Sequence, residues 1–120
     1  MVKRFTLPKC GRLCQTKSFQ AVYRSGKSYT NKLLVLYVLP NRSGKRRIGF
    51  AAGKRLGPAV VRNRLKRLLR EAYRLHQGEI LNGVDLVLVA RQPLVKAGQA
   101  QTTKAFLEIC SKAKLMAEKL

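Results

Sequence analysis

One segment constrains this chain more than any other, the stretch from Lys54 to Arg74. Gly57-Pro58 opens a helix there, because proline suits the first helical position, where its missing N–H would have no partner. The helix runs to about Leu75 and ends before Gly78. At 3.6 residues per turn, Val61, Leu65, Leu68, Leu69, Ala72 and Leu75 fall in one arc of roughly 120°. Arg62, Asn63, Lys66, Arg67, Arg70 and Arg74 fill the opposite side, with Arg64 near the border. Such a helix must lay its apolar stripe on a core. Its polar face is almost wholly cationic, with Glu71 the one acid. Arg62, Lys66, Arg70 and Arg74 recur at every fourth position, which stacks like charge on like charge and is mildly destabilising by itself. A merely solvated face mixes signs. A row of phosphates accounts for the pattern better, since arginine grips phosphate oxygens in two-pronged fashion.

The rest of the composition fits that partner. The chain has 120 residues, 46% of them hydrophobic, with 26 Lys plus Arg against 5 Asp plus Glu, a net charge of +21. A chain of this length is one domain, and it buries enough surface for a real core. The charge excess opposes compactness through self-repulsion, so it points to a polyanion. Nucleic acid comes first and an anionic membrane surface second. Residues 1–120 are therefore read as a single domain. Within it, residues 1–15 form a flexible basic lead-in, with Pro8, Gly11 and scattered Lys and Arg in no period.

From Thr16 a short helix places Phe19, Val22 and Tyr23 on one face and ends at Gly26. Leu33 to Leu39 is an apolar run rich in branched and aromatic residues, stopped by Pro40 and read as a strand buried on both faces. Asn41 to Gly44 reads as a turn. Arg47 to Gly53 forms a second strand, paired with the first as an antiparallel hairpin. Val84 to Ala90 is a third strand, with Asp85 its one charge. After a loop around Pro93 and Gly98, a last helix starts at Thr102 or Thr103, natural N-caps. Its apolar line is Phe106, Ile109, Cys110, Ala113 and Met116. The fold class is α+β, a small mainly antiparallel sheet with packed helices.

Little here supports chemistry of the chain's own. Glu71, Glu79, Asp85, Glu108 and Glu118 lie apart in sequence, and His76 sits at a helix end, where the dipole favours a cation. A zinc site would need Cys10, Cys14, Cys110 and His76 at unsuitable spacings. No Walker or Rossmann phosphate loop is present. Three cysteines without a CxxC are no disulfide framework and read as reduced thiols in the cytoplasm. The apolar run 33–39 is far short of the ~20 residues of a membrane helix. The basic start has no secretory apolar stretch, and a mitochondrial address is a minor reading.

Phe19, Tyr23 and Tyr37 suit an ordinary core. In so basic a chain they also suit unpaired bases, which stack on aromatic rings for roughly 1–3 kcal/mol each. An aromatic cleft would hold a single strand, whereas a basic helix alone would suit a duplex.

The stretch Gly53 to Tyr73 closely resembles the signature of the bacterial ribonuclease P protein subunit family. The triplet Arg62-Asn63-Arg64, followed by Lys66, Arg67 and Arg70, is that family's hallmark. Arg12-Leu13, Phe19 to Tyr23, Gly26, Leu34 to Tyr37, Ile48-Gly49 and Val84 to Arg91 fall in the family's order, so the likeness spans roughly residues 12–118. Tyr23 stands where phenylalanine is common, and Cys10 and Cys14 belong to no family pattern.

The resemblance implies an α-β-β-β-α-β-α order with an extra short strand. It also implies a left-handed βαβ crossover through the Arg-rich helix, as in the second domain of a small-subunit ribosomal protein, against the common right-handed rule. It implies removal of the 5′ leader from precursor tRNA, with the cleavage centre and its Mg²⁺ held mainly by a large catalytic RNA, no organic cofactor, and one protein per RNA. Arg62, Asn63, Arg64, Lys66, Arg67 and Arg70 match the RNA-facing helix, with Lys54, Arg55 and Arg12 added as contributors. Phe19, Tyr23 and Tyr37 match the leader-binding cleft. The alternatives are a basic RNA-binding structural protein of ribosomal type, a stand-alone nuclease built on a carboxylate such as Asp85, and a membrane-surface binder. The last ranks lowest, because the helix lacks a broad aromatic edge.

Overall fold

The computed structural model describes residues 16–115. In chain order these form α1 (Thr16–Ser25), β1 (Lys27–Thr30), β2 (Leu34–Pro40), β3 (Arg47–Ala51), α2 (Ala59–His76), β4 (Val84–Ala90) and α3 (Gln99–Lys112), with 3₁₀ segments at Lys54–Leu56, Gln77–Glu79 and Gln92–Lys96. The order is the one the family resemblance implies. β1 is the short strand that hydropathy does not reveal, because Lys27-Ser28-Tyr29-Thr30 is mostly polar and mostly exposed, as suits a sheet edge.

The four strands lie in the order β1-β2-β4-β3, with β1–β2 and β2–β4 antiparallel and β3–β4 parallel. The expected hairpin between the strand at 33–39 and the strand at 47–53 is therefore wrong. β4 inserts between β2 and β3, pairing Leu36 with Leu88 on one side and Gly49 with Val87 on the other. The reason is burial. β4 carries the most continuously buried strand pattern, Asp85 to Leu88, and such a strand belongs at the centre of a sheet. β3 then reaches β4 as a parallel neighbour through α2, so the Arg-rich helix is the crossover.

The two sheet faces differ. Leu34, Leu36, Val38, Ile48, Leu86 and Leu88 join Leu65 and Leu69 of α2 and Phe106 and Ile109 of α3 in the main core. On the other face, Val22 of α1 packs on Val87, bordered by Phe19, Tyr37, Leu39 and Val89. β2 is thus fully buried on one face only, since Val35, Tyr37 and Leu39 are half-buried rather than enclosed. Gly26 fixes α1 to the sheet. Its N–H donates to the Val22 carbonyl at 2.8 Å. A Cβ here would lie 2.5 Å from that oxygen and 2.8 Å from the Val38 oxygen.

Several element ends differ from expectation. Pro58 is the extended N-cap of α2, one position before the helix proper. Within α2, Tyr73 is buried and Leu75 is 44% exposed, so the buried stripe is turned toward Tyr73. α3 starts at Gln99, not at Thr102 or Thr103. Gly98 is its N-cap, and the Gly98 N–H donates to the Gln101 side chain at 3.2 Å. Thr102 lies inside the first turn, fully buried, and its hydroxyl donates to the Gly98 carbonyl at 2.8 Å. The second strand ends at Ala51, and Met116 lies outside the described residues.

Candidate nucleic-acid interface

The first surface is the aromatic cluster where α1 packs on β2 and β4, the place of the cleft that the family resemblance implies. The Tyr23 and Tyr37 ring centroids are 4.9 Å apart in an edge-on arrangement, and Phe19 meets Tyr23 the same way at 6.3 Å. Phe19 and Tyr37 are half-buried and Tyr23 is 40% exposed, so the cluster is an apolar wall with an open rim. Burial, with a smaller contribution from Tyr37, pushes the Tyr23 phenol up from its usual range.

The same sheet face continues toward the β3 edge. Arg47 donates to both carboxylate oxygens of Asp85, at 3.0 and 2.7 Å, and Asn41 Nδ2 donates to Asp85 Oδ1 at 2.8 Å. Asp85 is thus a buried carboxylate matched by a fork of donors. Both of its oxygens are thereby engaged in structural hydrogen bonds. The Arg47 side chain stays 42% exposed beside the cleft. Sequence reasoning treated Arg47 only as the start of a strand. The available signal was its place opposite the one acid of an apolar strand.

The second surface is the outer side of α2. Its cations are not equivalent. Arg64 donates to the carbonyls of Val95 and Ala97 at 3.2 and 3.0 Å, tying the helix to the segment before α3. Arg62 Nε donates to the Gly57 carbonyl at 3.2 Å. There Gly57 holds a positive φ of 145°, and an added Cβ would sit 3.1 Å from the Val61 side chain. Arg74 pairs with Glu71 through a two-pronged contact, its Nε 2.9 Å from Oε2. This pairing holds the Glu71 carboxyl below its usual range. The Arg70 guanidinium stands 5.7 Å from the centre of the Phe50 ring. Asn63 and Arg67 are exposed and Lys66 is half-buried, and none is in an ion pair among the described residues. Lys54 and Arg55 are exposed on the 3₁₀ turn that leads into α2. Arg12 lies outside the described residues.

Sequence reasoning also missed Arg46. Its guanidinium donates to the Tyr73 hydroxyl, the Ile80 and Gln77 carbonyls and Asn82 Oδ1 at 2.5 to 3.1 Å, locking the β2–β3 loop to the end of α2. His76 Nδ1 lies 2.6 Å from Glu79 Oε2, a local contact at the helix end. Among the described residues no three His, Cys, Asp or Glu gather as metal ligands, and Asp85 is already matched by its donors. The described side chains therefore offer no cage of three or more such groups for a Mg²⁺ held by protein alone. No helix among the described residues is long and apolar enough to cross a membrane.

The aromatic cleft lies against one face of the sheet and α2 against the other, so they are not side by side. A small basic α+β domain with two such surfaces defines an RNA-binding protein. The ribonuclease P family model matches residues 7–114. The ribonuclease P protein component of Alkaliphilus oremlandii is 39% identical over 105 residues, covering 88% of this chain and 92% of that protein. That of Natranaerobius thermophilus is 42% identical over 98 residues, covering 82% and 85%. The solved structure of the Staphylococcus aureus RNase P protein superposes with a TM-score of 0.83 at 32% identity, covering 91% of this chain and all of that one. The chain belongs to the ribonuclease P protein family. It is accordingly a subunit of the ribonucleoprotein endoribonuclease that processes the leader of precursor tRNA, and its partner is RNA.

Proposed function

We propose that this chain acts as one domain that holds two RNAs at once. The outer side of α2, through Asn63, Lys66, Arg67 and Arg70, with Lys54 and Arg55 beside it and Arg12 ahead, binds the catalytic RNA of ribonuclease P. The cleft of Phe19, Tyr23 and Tyr37 receives the single-stranded 5′ leader of precursor tRNA. The observation that carries this reading is the placement of the two surfaces against opposite faces of one sheet. A protein so built can touch two RNAs without either blocking the other.

The chemistry follows from the charge. Substrate and catalytic RNA repel each other, and cations fixed between them replace some of the counterions that would otherwise be needed. In this reading the RNA holds the Mg²⁺ that drives cleavage, one protein serves each RNA, and the complex works in the cytoplasm. The protein's residues bind and orient: rings stack on bases, and guanidinium groups take phosphates. A structural role of ribosomal type would leave the exposed aromatic rim without a use. The test adds the protein to catalytic RNA at limiting Mg²⁺ and follows cleavage of precursor tRNA. Cleavage should be restored, and unchanged cleavage would contradict the reading.

A further inference from the structure

A third basic surface borders α2 on its Arg64 side. The β1–β2 turn, the segment from Pro93 to Ala97 and the α3 stretch from Gln101 to Glu108 line an open groove of about 410 Å³. That is within the ~300–1,000 Å³ of small-ligand pockets. Lys32, Lys96 and Lys104 stand around it, all exposed, and none is in an ion pair among the described residues. Leu33 and Pro93 give it an apolar floor.

The walls are fixed. Asn31 Nδ2 donates to the Ala105 carbonyl at 3.0 Å, and its Oδ1 accepts the Leu33 and Leu34 N–H groups at 3.0 and 2.9 Å. On the other side, Arg64 holds the Val95 and Ala97 carbonyls. The groove is thus preformed. Glu108, one helical turn beyond Lys104 on α3, repels phosphate and accepts hydrogen bonds, so it gives the groove a direction.

We propose that this groove docks one nucleotide of a single-stranded RNA segment. The phosphate lies among the three lysines, the sugar and base lie over Leu33 and Pro93, and a ribose hydroxyl or base N–H faces Glu108. Three unpaired cations around an apolar floor match a nucleotide, which is anionic at one end and flat and weakly polar at the other. A bare anion would have no use for the floor, and an apolar ligand would have none for the lysines. This inference rests on the RNA-binding reading above but on none of the residues assigned there, and Arg64 enters only as a wall support.

The test titrates the full chain with a five-nucleotide oligouridylate and follows backbone amide shifts by NMR. Apart from shifts along the cationic face of α2, the expected result is two further separate sets, one around Tyr23 and Tyr37 and one at Leu33, Gln101 and Lys104. Tyr37→Ala should remove the first set and leave the second. Lys96→Gln with Lys104→Gln should do the reverse, and should lower the slope of log affinity against log salt at the groove by about 0.7 for each phosphate that is no longer neutralised. Cleft shifts without groove shifts would overturn this inference and leave the cleft intact. No shifts in either place would overturn the groove and, with it, the assignment of the single-stranded leader to the aromatic cleft. Equal affinity for inorganic phosphate at the groove would overturn the nucleotide assignment.

Discussion

The guanidinium of Arg64 donates to the carbonyl oxygen of Ala97 at 3.0 Å, across more than thirty residues of chain. The last member of the family's Arg-Asn-Arg triplet is therefore a clamp between α2 and the start of α3. Arg64→Ala should lower stability by about 1 kcal/mol, the usual net worth of such hydrogen bonds. Arg67→Ala removes no ion pair among the described residues and should leave stability within about 0.5 kcal/mol. It should weaken RNA binding and flatten its salt dependence by roughly one phosphate. Thermal melts and salt titrations on the two variants separate the roles.

The rings of the cleft make a second prediction. Tyr37→Ala should weaken binding of a single-stranded leader by about 1–3 kcal/mol, the range for removing one stacking platform. Tyr23→Phe keeps the ring, so it should cost far less. Fluorescence anisotropy with a labelled leader oligonucleotide checks both.

Asp85 serves structure. Removing it strands part of Arg47 and frees the Asn41 amide. Because Arg47 is 42% exposed, the cost should stay below the ~3–5 kcal/mol of a fully buried pair. Asp85→Asn should lower the denaturation midpoint while leaving cleavage chemistry in the complex unchanged under stabilising conditions. Abolished cleavage with an unchanged midpoint would place Asp85 in the chemistry instead.

Cys110 gives a pH signature. It is fully buried, and burial pushes its thiol up to about 12 from an ordinary value of 9.0. The folded state therefore holds the proton more tightly than the unfolded chain does. The sign is fixed: this contribution is intact below about pH 9 and is lost as pH rises from there toward about 12. Wild type should lose stability over that window more steeply than Cys110→Ala, as measured by urea denaturation at stepped pH. In a Cys10→Ser, Cys14→Ser background, alkylation of Cys110 should occur only on unfolding.

Much of this was legible in the sequence, and the gaps have physical causes. The apolar stripe of α2 followed from periodicity, because Leu65, Leu69 and Ala72 repeat at helical spacing and all are buried. Tyr73 and Leu75 exchanged roles because burial at a stripe's edge depends on what the helix packs against. Here Phe50 and Phe106 take the Tyr73 ring at 6.1 and 6.3 Å. The insertion of β4 between β2 and β3 is a long-range choice that no local pattern encodes. The polar strand β1 became visible only through the family likeness. The cationic face of α2 was legible as charge. Which arginines were already occupied was not, since the acceptors of Arg64 lie on a distant segment.

In the proposed complex the leader lies in the aromatic cleft while the catalytic RNA is held elsewhere. The most direct measurement is the affinity of the assembled complex of catalytic RNA and this protein for precursor tRNA and for mature tRNA. The leader should tighten binding, and Tyr37→Ala should abolish most of that difference while leaving affinity for mature tRNA unchanged. Equal affinity for the two tRNAs in the wild-type complex would contradict the account.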